Sequence, residues 1–290
     1  MSVVLTPEQI ARYREEGVLV VDKAVTASQL ERMRDEISGW VEQSRRFDHP
    51  FGPPTIDGRP RFDLGAGHRP DAPALRRVNN PSDISPAFED VMLHAAMVDM
   101  VADLIGPDVK FHHCKINLKL PGTDTEVGFH QDFAYTPHTN DDLVTALVML
   151  DDMTLDNGCL RVIPGSHKGS THSHYEKNQF RGFISPEVMR EMETEEVPIT
   201  GTAGSVCLMH TRLVHGSRPN RSERPRGLYI AVYSAADAVP LAVSPLPNPN
   251  EGRIVRGKPS RFVRLTVGAV ELPPGERPVS FFVTQGQRSA

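Results

Sequence analysis

Cysteine is scarce in this chain of 290 residues: Cys114, Cys159 and Cys207 are few, odd in number and far apart. They form neither a disulfide framework nor a C-x-x-C zinc or redox motif, which points to a reducing, cytoplasmic home. A basic surplus is missing as well. Lys and Arg number 32 against 37 Asp and Glu, a formal charge of −5, and no basic tract stands out, so no nucleic acid is expected as a partner. No segment approaches the ~18 apolar residues of a membrane span, and MSVVLTPEQIARYREEG meets charged residues before any run long enough for a signal peptide. Internal repeats and low-complexity tracts are absent too. What remains is expected to be a soluble globular protein, monomer or homodimer, with no membrane and with small molecules or other proteins as partners.

Proline, by contrast, is plentiful: 25 residues, above the average of about 5%. Many turns and short elements follow, which favours β architecture. Thr6-Pro7-Glu8-Gln9 and Thr26-Ala27-Ser28-Gln29 read as capping boxes that start two helices, with a short strand, residues 18–21, between them. The stretch from Phe47 to about Asn80, crowded with Pro, Gly and Asp, reads as a long irregular loop. A helical region is expected over 85–105, stopped by Gly106-Pro107. Seven short segments rich in Val, Ile, Leu and Phe then follow at 109–120, 143–150, 159–163, 205–215, 226–235, 261–271 and 278–284. Without intervening helices they suggest a sandwich or jelly roll. In the first of them Lys115, Asn117 and Lys119 share one face by period 2, which by itself reads as a solvated edge.

The chemistry concentrates in Gly128-Phe129-His130-Gln131-Asp132. A His and an Asp two apart on a strand project from one face, and both are short enough to reach one ion. His215 arrives 83 residues after Asp132 in Leu213-Val214-His215-Gly216-Ser217. Two imidazoles and one carboxylate on one side of a metal are the facial triad of non-haem Fe(II) oxygenases, with open positions for substrate and O2. Arg226 lies 11 residues after His215, at the start of a strand that can run beside it. Its guanidinium is suited to a carboxylate in a bidentate pair. A dicarboxylate that chelates iron at one end and meets arginine at the other is 2-oxoglutarate.

These segments resemble the phytanoyl-CoA dioxygenase family of Fe(II)/2-oxoglutarate oxygenases. The resemblance runs through GVLVV, INLKLPG, HQDFAYTPHTNDDLVTALVMLDDMTLDNGCLRVIPGSHKGS and LVHGSRPNRSERPRGLYIAVY. It implies a fold that is mainly β with N-terminal helices, built on a double-stranded β-helix or jelly-roll core of the cupin-like kind. A single domain is expected over 1–290, with a helical portion, 1–108, packed on a core, 109–290. His130, Asp132 and His215 become the iron ligands, and Arg226 with Ser217 binds the distal carboxylate of 2-oxoglutarate. Because Asp132 is present, hydroxylation is expected rather than halogenation. Asn117 becomes a candidate for co-substrate or substrate contact on a strand lining the pocket. A tryptophan used by some members has no counterpart in 143–150, where Thr145 or Leu147 is expected to form that wall.

The implied reaction oxidises an aliphatic C–H of a small metabolite, with Fe(II), 2-oxoglutarate and O2 as cofactors and co-substrates and succinate and CO2 as co-products. The loops at 47–80 and 236–260 are candidate lids, and Arg61, His112, Lys115 and Lys119 favour a small polar or anionic metabolite, with a bulkier secondary metabolite or an acyl thioester as the alternatives. Two rivals use the same residues: a cupin-like metal-dependent hydrolase or isomerase, and a non-catalytic 2-oxoglutarate-binding protein. Arg226 and its spacing argue against the first, and the complete triad argues against the second.

Overall fold

In the computed structural model, which describes residues 4–275 and 280–286, both capping boxes form. Thr6 and Thr26 accept the backbone N–H groups of Gln9 and Gln29 at 3.2 and 3.1 Å, and the glutamine side chains accept the threonine N–H groups in return. Donors that a helix start leaves open are thereby satisfied. These caps begin α1 (Pro7–Glu16) and α2 (Ala27–Ser44), with β1 (Val18–Val21) between them. The loop expected over 47–80 contains β2 (Phe62–Leu64) and β3 (Leu75–Asn79). The single helical region expected next is two helices, α3 (Pro86–His94) and α4 (Ala96–Ile105), because Ala95 between them is extended at ψ 152°.

The remaining strands are β4 (Val109–Lys119), β5 (Val127–His130), β6 (Leu143–Met149), β7 (Leu160–Val162), β8 (Tyr175–Glu176), β9 (Gln179–Phe180), β10 (Val197–Ile199), β11 (Val206–His210), β12 (His215–Ser217), β13 (Arg226–Ala235) and β14 (Ile254–Arg256). Helix α5 (Pro186–Met192) precedes β10, and a short α6 (Phe281–Thr284) follows β14. The larger sheet runs β1-β11-β6-β13-β4-β3-β2, with β14 also on β4; the smaller runs β10-β7-β12-β5. Every pairing in them is antiparallel. This is the jelly-roll core with N-terminal helices anticipated from the sequence.

Strand β6 shows why its sequence, LVTALVM, reads as a continuous apolar run. Val144, Ala146 and Val148 pack with residues of α2, α3 and α4 in one core. Leu147 and Met149 face the other way, into a second core with Leu160, Val162 and Ile199 of the smaller sheet. A strand buried on both faces cannot show polar alternation. The helices therefore brace the outer face of the larger sheet, while its inner face and the smaller sheet enclose the interior that holds the site.

Two expected strands do not form. Residues 261–271 have no sheet partner, and Phe262 and Leu265 are 81% and 77% exposed. β propensity measures fit to a half-buried sheet surface, and no strand edge is offered here; Arg264 instead ties the segment to Asp237. Of 278–284, the first two positions lie outside the described residues and Phe281–Thr284 is helical. Arg61 also departs from expectation. Its guanidinium donates to Asn79 O, Asn80 O and Asp83 Oδ2 at 3.0, 2.8 and 3.1 Å, which clamps the β3 end rather than facing substrate. Among the described residues, no helix is long and apolar enough to cross a membrane.

Candidate active site

Strands β5 and β12 are antiparallel neighbours in which His130 stands opposite His215. Asp132 lies two residues beyond His130 in a single 3-10 turn, Asp132–Ala134. One donor atom from each of the three lies within 4.8 Å of the others. Asp132 Oδ1 is 3.6 Å from His130 Nε2 and 3.9 Å from His215 Nε2. Nδ1 of His130 contacts Gly128 O, and Nδ1 of His215 contacts Leu213 O, each at 2.9 Å. A carbonyl only accepts, so both protons sit on Nδ1 and both Nε2 lone pairs point at the centre.

The carboxylate is held with equal care. Thr145 Oγ1 donates to Asp132 Oδ2 at 2.8 Å, which leaves Oδ1 free to face the same centre as the two Nε2 atoms. Burial pushes the Asp132 carboxyl up, yet His215, His130 and Lys115 outweigh it and hold it well below its ordinary value. Burial, and next His130, press the His215 imidazole down to about 3, so it stays neutral. Three acceptor atoms converge with no proton between them, an arrangement relieved by a cation. The donor set therefore fits a divalent iron-type ion. Replacing Thr145 with Val should weaken Fe(II) or Mn(II) binding about 10- to 100-fold, the usual effect of removing a partner of a ligating carboxylate; metal titration by calorimetry reads it, and unchanged affinity refutes the role.

Gln131, between the two motif residues, is fully buried. Its side chain donates to Arg212 O at 2.6 Å and Ser170 O at 3.2 Å and accepts from His172 N at 2.8 Å. It ties the metal loop to two others, a role the sequence pattern gives no sign of.

Beside the triad lies a cavity of about 560 Å³ that also has Asn117, Thr145, Ser217 and Arg226 on its wall. Each metal-ligand and co-substrate candidate named from the sequence is thus brought to one place, whereas Arg61 and His112 do not line it. Arg226 donates from Nε and Nη2 to Gly158 O at 3.1 and 2.8 Å, which fixes its guanidinium. Gly158 has φ 76°, and a Cβ there would stand 2.6 Å from Arg218 O. Only glycine suits that turn. Asn117 Oδ1 accepts from Arg77 Nε at 3.0 Å. Lys119, paired with Arg226 across β4 and β13, donates to Ser217 Oγ at 2.7 Å and to Arg218 O. Lys115 and Lys119 of β4 correct the reading of a solvated edge, since both point into the interior and Lys119 is 1% exposed.

A family model described as phytanoyl-CoA dioxygenase matches residues 13–228. The chain belongs to the phytanoyl-CoA dioxygenase family of Fe(II)/2-oxoglutarate-dependent oxygenases. Among its relatives is a probable alpha-ketoglutarate-dependent hypophosphite dioxygenase of Stutzerimonas stutzeri, 37% identical over 203 residues that cover 69% of each chain. The peroxisomal phytanoyl-CoA dioxygenase of Homo sapiens is 26% identical over 81% of this chain and 70% of its own. EctD from S. alaskensis, crystallised with 2-oxoglutarate and 5-hydroxyectoine, shares the fold at a TM-score of 0.67 and 23% identity, covering 94% of this chain and 89% of its own.

This family oxygenase has a second cavity of about 780 Å³ on the other side of Asp132. Both expected lid loops reach it, through Arg59 and through Pro245 and Leu246, but so does α6, which occupies a segment expected as a strand. Phe281 of α6 lines both cavities. Its ring lies 5.7 Å from that of His130 and 5.6 Å from that of Tyr135, and the Arg77 guanidinium sits 4.6 Å over it. Arg77, Tyr135 and Phe281 were not picked out from the sequence.

Proposed function

We propose that the protein hydroxylates an aliphatic C–H bond of a small-molecule metabolite, consuming 2-oxoglutarate and O2 and releasing succinate and CO2. The convergence of three acceptor atoms from His130, Asp132 and His215 carries this reading. In it these residues hold Fe(II), Arg226 and Ser217 take the distal carboxylate of 2-oxoglutarate, and Asn117 and Thr145 complete the co-substrate wall. When bound, the iron couples oxidative decarboxylation of the co-substrate to oxidation of the substrate.

The chain's own part is positioning. The two backbone carbonyls keep the imidazoles in the tautomer that ligates, and Thr145 keeps one carboxylate oxygen free. Gly158 O orients Arg226 before any anion arrives, so little freedom is lost on binding. Phe281 and the flanking loops exclude water. Residues 1–108 and the core act as one catalytic domain, since Arg77 comes from the former and the triad from the latter. The −5 charge and three buried free cysteines support a cytoplasmic enzyme, monomeric or dimeric, with no nucleic-acid or membrane partner.

Anaerobic reconstitution with Fe(II) tests the proposal. Addition of 2-oxoglutarate should produce a visible metal-to-ligand charge-transfer band, and admission of air should yield succinate. A protein that binds Fe(II) but shows neither the band nor succinate contradicts it.

A further inference from the structure

Besides α6, a second cover lies over the cavity of about 780 Å³, outside both loops expected as lids. Strands β8 and β9 pair antiparallel with each other and, among the described residues, with no other strand. The two residues that join them, Lys177 and Asn178, are both left-handed at φ 48° and 65°, the conformation of a tight hairpin turn. A two-stranded hairpin is marginal by itself, so its position depends on what fastens it. Phe180 of the hairpin stands on the same cavity wall as Phe281 and Thr284 of α6. The Tyr135 ring packs between the two covers, 5.3 Å from that of Phe180 and 5.6 Å from that of Phe281.

The fastening converges on one carbonyl. Gly182 O, just past the hairpin, accepts from Tyr135 Oη at 2.5 Å and from Gln285 Nε2 at 2.8 Å. Gln285 Oε1 in turn accepts from Gly128 N of β5 at 3.1 Å. One side-chain amide at the end of α6 thus donates to the hairpin and accepts from the strand that carries His130. Gly182 has φ 69°, and a Cβ there would stand 2.2 Å from Tyr135 Oη, so this approach of phenol to backbone requires glycine. Each cover also has an anchor of its own. Ser280 Oγ, at the start of α6, donates to Asp63 Oδ2 at 2.6 Å, and His174 Nε2, at the base of the hairpin, accepts from Gln131 N at 3.0 Å. Gln285 itself is on the wall of neither cavity.

We propose that Gln285 is a positioning residue that latches α6 and the 174–184 hairpin into one cover, so that the two open and close over the active-site chamber as a unit while β5 stays fixed. Either bond alone is a modest hydrogen bond, but release of Gln285 breaks both at once and strips Gly182 O and Gly128 N of a partner together. Linked bonds of this kind make local opening cooperative. A consequence for the reaction follows. A gate that touches neither the metal ligands nor the co-substrate changes how fast ligands enter and leave, in equal proportion, and not how tightly they bind. The inference takes from the oxygenase reading only the ligand that probes the chamber.

Hydrogen exchange read by mass spectrometry on the Mn(II)-loaded protein tests the latch. Gln285→Leu keeps the bulk and removes both bonds; it should speed exchange of 174–184 and 280–286 together, about 10- to 100-fold, with 130–135 and the melting temperature as in the wild type. Gln285→Glu keeps an acceptor for Gly128 N and loses the donor to Gly182 O, so it should speed 174–184 alone. Ser280→Ala, at the other end of α6, should speed 280–286 alone. On the anaerobic Fe(II) protein, stopped-flow absorbance should show 2-oxoglutarate entering and leaving Gln285→Leu about tenfold faster, with Kd within about threefold. Faster exchange of 280–286 alone in Gln285→Leu, or of neither segment, overturns the latch. General loss of protection with a lower melting temperature makes Gln285 a structural residue and also overturns it, as does a raised Kd at unchanged entry rate. Failure of the wild type to bind 2-oxoglutarate overturns the oxygenase reading instead, and the exchange pattern then still decides the latch.

Discussion

Replacing Asp132 with Ala is expected to lower turnover by at least about three orders of magnitude and to strip the protein of iron on dialysis. Asp132 supplies the triad's single negative charge, and its loss leaves two neutral imidazoles to retain a dication. Removing one partner from a buried, paired charge costs roughly 3–5 kcal/mol, equivalent to about a hundred- to several-thousandfold in affinity, before any effect on the reaction. The deletion also leaves the Thr145 hydroxyl without its 2.8 Å acceptor and Lys115 without the nearby charge that favours its cationic form. Succinate release and metal content after dialysis report the two effects separately. Asp132→Asn keeps the shape and removes the charge, so turnover surviving in both variants would refute the ligand assignment.

The second large effect is expected at Arg226. Arg226→Met should raise the KM for 2-oxoglutarate about 10²- to 10³-fold, while kcat at saturation falls far less. The residue is 2% exposed and its guanidinium is fixed by Gly158 O, so its partner carboxylate would be left buried without a fork of donors. Lys119, across the strand pair, still offers a hydrogen-bond donor at that end and sets a floor to the loss. Ser217→Ala should cost less, because the hydroxyl already accepts from Lys119. Initial rates against 2-oxoglutarate concentration decide the matter; a KM unchanged in Arg226→Met would mean that the co-substrate is anchored elsewhere.

The triad, Arg226 and Ser217 were legible because their chemistry is written in short spacings: His and Asp two apart, then histidine with serine two beyond and arginine 11 beyond. The jelly roll was legible because turn residues punctuate its strands. Period 2 also correctly grouped Lys115, Asn117 and Lys119 on one face. It could not say which face, since Cys114, Ile116 and Leu118 opposite them are buried as well, against the helices, and a strand covered on both sides carries no sign of inside. Arg77 was hidden for a different reason. Nothing local separates it from Arg76, whose guanidinium is taken by Asp63, and both sit in a stretch whose prolines and glycines argue for loop. Phe281 and Phe282 carry strand propensity and were read as strand, yet they serve as plugs: packing against His130 and the arginines, not a sheet partner, decides their conformation.

The contacts that seat α6 join residues far apart along the chain: the Ser280–Asp63 hydrogen bond spans 217 positions. Such a loop closes at an entropic penalty that grows only with the logarithm of its length, so the wall is thermodynamically inexpensive but belongs to the late, non-local contacts of folding. His130, Asp132 and His215 are all synthesised before residue 281 emerges. The wall is held by hydrogen bonds and ring contacts rather than a sheet ladder, so its opening is a local event with a free energy below that of global unfolding. Opening of this wall therefore leaves the triad's own supports, the β5–β12 pair and the turn at Asp132, in place.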